Sequence, residues 1–337
     1  MNVSLAYRAR DHAGRLLPGG QAWTGPRLVA TVCAVLLVVW VAAATGDRAA
    51  WSAAAAALGA RWDLLGVFAG TYATAFALRS VAWAVLLPAH ERGAAGLPRL
   101  FAILHVSLLA NHVFPTKAGE VIRPALLAGG GGVPLGVAAG STALARLLDL
   151  LALGLIVVVV APLAGGRLEA YLAPLAALLV VVLGVAVGLA IASGRATSLW
   201  SRLPVRVARL AREAQAALRT VRLTQIVLAL ALVVPSWLLE AGAVWSVAQA
   251  VQVPLSLPAA AAATAMTIAL QTFQVTPGGI GLYETSMSAA LVTFGVEPHT
   301  AISAAVLTHA IKFVYAYATG LPCLLFCGAG RLRLRAL

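Results

Sequence analysis

Charge is scarce in this sequence: Asp, Glu, Lys and Arg make up only 10% of its 337 residues, while 61% are hydrophobic and the mean hydropathy is +0.94. A soluble core cannot bury that much apolar surface, which excludes an ordinary globular domain and calls for a bilayer. Acidic residues are scarcer still, 11 against 24 Lys and Arg, for a net charge of +13. That excess does not mark a nucleic-acid partner, because the arginines sit between apolar runs rather than along one face. Cysteine is limited to Cys33, Cys323 and Cys327, all in apolar stretches, and the last two lack a nearby His or carboxylate to complete a metal site. There is no Gly-x-x-x-x-Gly-Lys-Ser/Thr loop, so no drive from nucleotide hydrolysis is expected. No Ser/His/Asp constellation or metal-ligand cluster appears, so no enzyme activity, cofactor or metal is expected.

What is present is a series of long apolar runs. A spanning helix needs about 20 apolar residues, and on that criterion full spans are expected near 27–45, 64–88, 134–161, 171–192, 223–250 and 300–327. The first is longer than a typical signal core and is expected to be retained. Two further stretches, about 98–128 and 258–294, are apolar but interrupted by polar, Gly and Pro residues. Each is read as a helical hairpin that dips into the membrane and returns. The predicted architecture is therefore all-α and polytopic, with six full spans and two re-entrant hairpins in one domain over 27–327. A cytoplasmic tail of 1–26 precedes it and a basic cytoplasmic tail of 328–337 follows.

The positive-inside rule supports this arrangement. With both termini cytoplasmic, sixteen Lys/Arg fall inside and only Arg48, Arg61 and Arg167 fall outside. The hairpins then enter from opposite faces, as an inverted pair. The inside loop 193–222 carries Arg202, Arg206, Arg209 and Arg212 at near-helical spacing, which suits a surface helix on anionic inner-leaflet lipids or a plain solvated one. A bacterial-type cytoplasmic (inner) membrane is the expected location, and the sequence is compatible with a homo-oligomer.

Nine charges are left at membrane depth: Arg79, Lys117, Glu120, Arg123, Arg146, Asp149, Glu240, Glu284 and Lys312. Uncompensated, they would cost on the order of 20–30 kcal/mol, more than a domain's whole stability. They must pair, protonate or face water. Arg79 lies near enough to the inner end of its span to snorkel, so it and Glu240 are read as structural. Arg146 and Asp149, at i, i+3, either lock helix packing or meet substrate. His105 and His112 read as polar lining, and Lys312 shares the last span with His309.

The first broken segment runs Asn111-His112-Val113-Phe114-Pro115-Thr116-Lys117-Ala118-Gly119-Glu120-Val121-Ile122-Arg123-Pro124. Pro115 and Gly119 break the helix and free backbone groups that lipid cannot satisfy. Lys117, Glu120 and Arg123 follow on one side of the second half-helix, whose N-terminus adds N–H donors suited to an anion. The second segment runs Gln274-Val275-Thr276-Pro277-Gly278-Gly279-Ile280-Gly281-Leu282-Tyr283-Glu284 on the same plan, with Pro277, Gly278, Gly279 and Gly281 as its breaks. Upstream, Thr264, Thr267, Gln271 and Gln274 are expected to form one polar stripe facing a cavity.

These segments resemble the flippase-like family typified by the membrane half of lysyl-phosphatidylglycerol synthase, the multiple peptide resistance factor. Phe114-Pro115-Thr116-Lys117-Ala118-Gly119-Glu120-Val121-Ile122-Arg123 is similar to its Pro-Gly-Arg-x-Gly-Glu-x-x-Arg segment. Ala145-Arg146-Leu147-Leu148-Asp149 is similar to its Glu-Arg-x-x-Asp, and Pro277 to Glu284 to its Pro-Gly-Gly-x-Gly-x-x-Glu. Order and spacing agree over about 25–330. Thr116-Lys117 replaces the usual Gly-Arg, Ala145 stands where the family often has Glu, and Lys312 stands where Arg is expected.

The resemblance implies movement of a lipid between leaflets: aminoacylated phosphatidylglycerol in the type member, with relatives associated with polyprenyl-glycosyl or hopanoid pathways. No counterpart of the type member's soluble aminoacyl-transferring domain is read in these residues, so synthase activity is not expected of them. The candidate substrate-binding residues are Asn111, Lys117, Glu120, Arg123, Arg146, Asp149, Gln271, Glu284 and Lys312. A lipid-modifying transferase and a transporter of a small soluble anion are the alternative readings.

Overall fold

Twenty-five residues from Trp62 to Leu86 form the first long helix, which at about 1.5 Å per residue exceeds the roughly 30 Å of a hydrocarbon core. The computed structural model of the chain describes Ser52, Ala56 and residues 58–130, 132–165 and 204–335. All of these belong to the unit Gly46–Leu337, the larger of two into which the chain divides. The expected spans 27–45 and 171–192 lie outside the described residues.

The helices are α1 (Trp62–Leu86), α2 (Ala89–Ala95), α3 (Leu97–Val113), α4 (Ala118–Gly129), α5 (Leu135–Val160), α6 (Val205–Thr220), α7 (Leu223–Ala250), α8 (Leu257–Leu270), α9 (Leu282–Thr293) and α10 (Pro298–Arg335). No strand occurs among the described residues. Among the described residues, four helical stretches are long and apolar enough to cross a membrane: Trp62–Leu86, Leu135–Ala164, Leu223–Ala250 and Pro298–Gly328. Their outer faces keep large apolar side chains exposed, including Val159 at 57%, Leu228 at 51% and Val314 at 68%, as lipid contact requires and water does not tolerate. The chain is a multi-pass membrane protein.

The inner faces pack through small residues. In α7, Ala229 and Ala243 are fully buried, and α1 lies along this helix with Phe68, Tyr72, Phe76 and Trp83 in a shared core. A side chain at Gly320 of α10 would collide with Leu109 Cβ of α3, so glycine sets that helix separation. One face of α6 packs on α5, where the Gly136 N–H donates to Glu213 Oε2 at 3.2 Å.

Both interrupted segments fold back on themselves. Arg99, at the start of α3, donates from Nη2 to Leu126 O and Leu127 O, each at 2.8 Å, near the end of α4. Ala259, Ala260 and Ala263 of α8 share a core with Met287, Ala290 and Leu291 of α9. The breaks have the same local cause: the residue before each proline is extended, Phe114 before Pro115 and Thr276 before Pro277, as the pyrrolidine ring demands.

Candidate functional site

The two breaks touch. Gln274 Nε2 donates to Asn111 O at 3.2 Å, and the Gly119 N–H at the start of α4 donates to Asn111 Oδ1 at 2.8 Å. Beside this junction lies a polar cavity, lined by residues from both breaks and from α1, α5, α7 and α10. Eight of the nine residues singled out from sequence line it: Asn111, Lys117, Glu120, Arg123, Arg146, Asp149, Gln271 and Lys312. Glu284 is the exception. It caps α9 through the Gly281 N–H at 2.7 Å and meets His309 Nδ1 at 2.6 Å, behind the cavity wall.

Arg79 and Glu240, expected to be structural bystanders, face the cavity as well. Arg79 does not snorkel. Its side chain is only 10% exposed, its Nη2 donates to Glu240 Oε2 at 2.8 Å, and its guanidinium lies 3.7 Å from the centre of the Trp237 ring. Lys312 Nζ takes the other carboxylate oxygen, Oε1, at 2.9 Å. One buried carboxylate thus ties α1, α7 and α10 together, and losing it would strand two buried cations at a cost of about 3–5 kcal/mol.

The remaining charges are held more loosely. Arg123 Nη1 lies 3.6 Å from Glu120, and Arg146 Nη1 lies 3.9 Å from Asp149, which accepts the Trp237 indole N–H at 3.1 Å. Arg123 Nε and Arg146 Nη2 are buried donors without a hydrogen-bond partner. Lys117 forms no side-chain hydrogen bond or ion pair among the described residues. The lining counts five Lys/Arg (Arg79, Lys117, Arg123, Arg146, Lys312) against three carboxylates (Glu120, Asp149, Glu240), leaving two positive charges in excess.

Two expectations need correction. The stripe Thr264, Thr267, Gln271 and Gln274 does not face one way, because the α-helix ends at Leu270 and tightens to a 3₁₀ turn over Gln271–Phe273. Gln271 and Gln274 reach the cavity, whereas Thr267 donates to Ala263 O at 2.8 Å and packs toward Met287. The histidines separate too: His112 lines the cavity, and His105 is spent between Phe101 O and Tyr315.

The family described as "Lysylphosphatidylglycerol synthase TM region" matches residues 27–320. The chain belongs to this family. No curated protein and no solved structure matches it. Within the lysylphosphatidylglycerol synthase TM region pattern, the departures noted above gain physical meaning. Thr116 and Lys117 both adopt left-handed backbone, with φ of 56° and 50°, which a β-branched threonine tolerates poorly. Lys312, a point charge in place of a forked guanidinium, takes one oxygen of Glu240 and leaves the other to Arg79. Ala145 in place of an acid leaves the net charge of this stretch more positive.

Proposed function

We propose that this member of a lipid-related membrane family moves a lipid with a phosphate-bearing, charged headgroup between leaflets, the headgroup passing through the cavity while the acyl chains stay in lipid. The observation that carries the reading is the set of underused cations: Lys117, without a partner among the described residues, in the cavity lining, and the orphaned donors Arg123 Nε and Arg146 Nη2. Buried donors of this kind call for an anion, and a phosphate oxygen satisfies them without displacing Glu240 from its two partners. Glu120 and Asp149, each weakly engaged, are free to swing toward an amine such as that of an aminoacyl-phospholipid or, for a polyprenyl or glycolipid headgroup, to keep pairing the arginines.

In this reading the chain lies in a cytoplasmic membrane with the α6 side inward, and Arg209, its side chain 72% exposed, sits at the anionic inner leaflet together with Arg212. The chain transports and does not catalyse. The test is reconstitution in phosphatidylethanolamine/phosphatidylglycerol vesicles carrying phosphatidylglycerol with a fluorescent headgroup, whose transbilayer movement is followed with an impermeant quencher. Arg123→Ala is expected to slow movement at least about tenfold, the loss of one charge-assisted contact. Equal rates for Arg123→Ala, Lys117→Ala and the parent chain would overturn the assignment.

A further inference from the structure

The contacts of His309 do not balance with a neutral ring. Its Nε2 lies 3.0 Å from Gly278 O, and a carbonyl oxygen only accepts, so Nε2 carries a hydrogen. Its Nδ1 lies 2.6 Å from Glu284 Oε1, a separation that also needs a hydrogen between the two atoms. A neutral imidazole has one N–H for these two acceptors. The second hydrogen is an extra proton, held either as imidazolium beside carboxylate or as a carboxylic acid donating to Nδ1, and in both forms the pair is neutral overall.

We propose that Glu284 and His309 form a proton-binding clasp on the second break, and that release of its proton frees the break and couples headgroup passage to proton movement. The coupling half rests on the lipid reading above; the clasp itself does not. On release, the bond from Nδ1 or from the Glu284 oxygen to hydrogen breaks, its electron pair stays on the pair, and H⁺ leaves to water. The net charge falls from 0 to −1. The one remaining imidazole N–H then serves Glu284 or Gly278, never both, so one tie is lost whichever tautomer forms.

The position suits a relay. His309 lines the cavity, whereas Glu284 stands behind its wall with its side chain 16% exposed, so the shared proton sits between the cavity and the second break. The groups facing the clasp are few. Tyr283 of α9 stacks on His309 at 4.2 Å, and His112 of α3 lies 6.3 Å away ring to ring, its Nδ1 spent on Leu108 O. Lys312 follows one turn along α10, and its charge is answered by Glu240 of α7, which also holds Arg79 of α1 and receives Tyr72 at 3.5 Å. The deprotonated clasp is thus left as a carboxylate with no other cation committed to it among the described residues. The motion it restrains is specific: Gly278 is held against Phe313 so closely that a Cβ would strike the ring.

Two variants act in opposite directions. In Glu284→Gln the amide donates to Nδ1 while Nε2–H keeps Gly278, so the clasp stays shut without a proton. His309→Phe leaves it open at every pH. Hydrogen exchange of residues 274–284, measured on the chain in lipid nanodiscs and corrected for the intrinsic pH dependence of amides, is expected to rise at least about tenfold through a single proton step in the parent chain. It should stay low throughout in Glu284→Gln and high throughout in His309→Phe. A parent profile without a step, or a step that survives in Glu284→Gln, overturns the clasp.

In the vesicle assay an imposed pH gradient is expected to change the parent rate at least about tenfold and to leave Glu284→Gln unresponsive. An exchange step without lipid movement at any pH keeps the clasp and refutes the lipid reading. Lipid movement indifferent to pH, with flat exchange, does the reverse.

Discussion

The two breaks solve one problem by different means. At 274–281 the chain turns on Gly278, Gly279 and Gly281, with φ of 65°, 78° and 86°, where glycine costs little, and the turn is held by Gln274, Thr276 and His309. At 114–117 the same reversal falls on Thr116 and Lys117, neither suited to left-handed backbone, and the Lys117 side chain faces the cavity unpaired among the described residues. The second break turns on glycines and is tied by hydrogen bonds; the first is strained and carries a cation that is unpaired among the described residues. Strain at a site that binds ligand keeps alternative conformations within reach, so under the proposed function headgroup contact is assigned to the first break and restraint to the second.

That contrast can be broken in order of effect. Gly278→Ala places a Cβ into the Phe313 ring at a left-handed position, and is expected to lose about 3–4 kcal/mol, from overpacking and backbone strain together. Thermal unfolding in detergent, read beside lipid movement, measures it, and a shift no larger than that of an exposed substitution would mean that the second break is not held. Gln274→Leu removes the donor to Asn111 O and is expected to cost about 1–2 kcal/mol in the same assay. Thr116→Gly should go the other way, stabilising by about 0.5–1 kcal/mol as relieved strain outweighs added chain entropy. If Thr116→Gly destabilises, the first break is not strained.

The long helices were legible because their apolar runs leave little choice: 64–88, 134–161 and 223–250 become Trp62–Leu86, Leu135–Val160 and Leu223–Ala250. The breaks were legible because Pro and Gly act locally. The demand that buried charges pair was legible as well, but not the partners. Arg79 and Glu240 are 161 residues apart, and no local pattern announces that one carboxylate serves both Arg79 and Lys312. Glu284 looked like a cavity residue because it sits one turn into a half-helix; the capping contact with the Gly281 N–H and the proximity of His309 turn it away. The polar stripe failed where a 3₁₀ turn replaced the last α turn, a change of pitch that side-chain spacing does not encode.

Asn111 has a kinetic consequence. Its side-chain oxygen holds the start of α4 and its main-chain oxygen receives Gln274, so a single residue is the shared bearing of both breaks. Neither can rotate far without carrying the other or releasing it. Under the proposed function, a molecule jointed this way is expected to open in one step as long as both contacts hold, with occupancy of the first break felt at the second through Asn111.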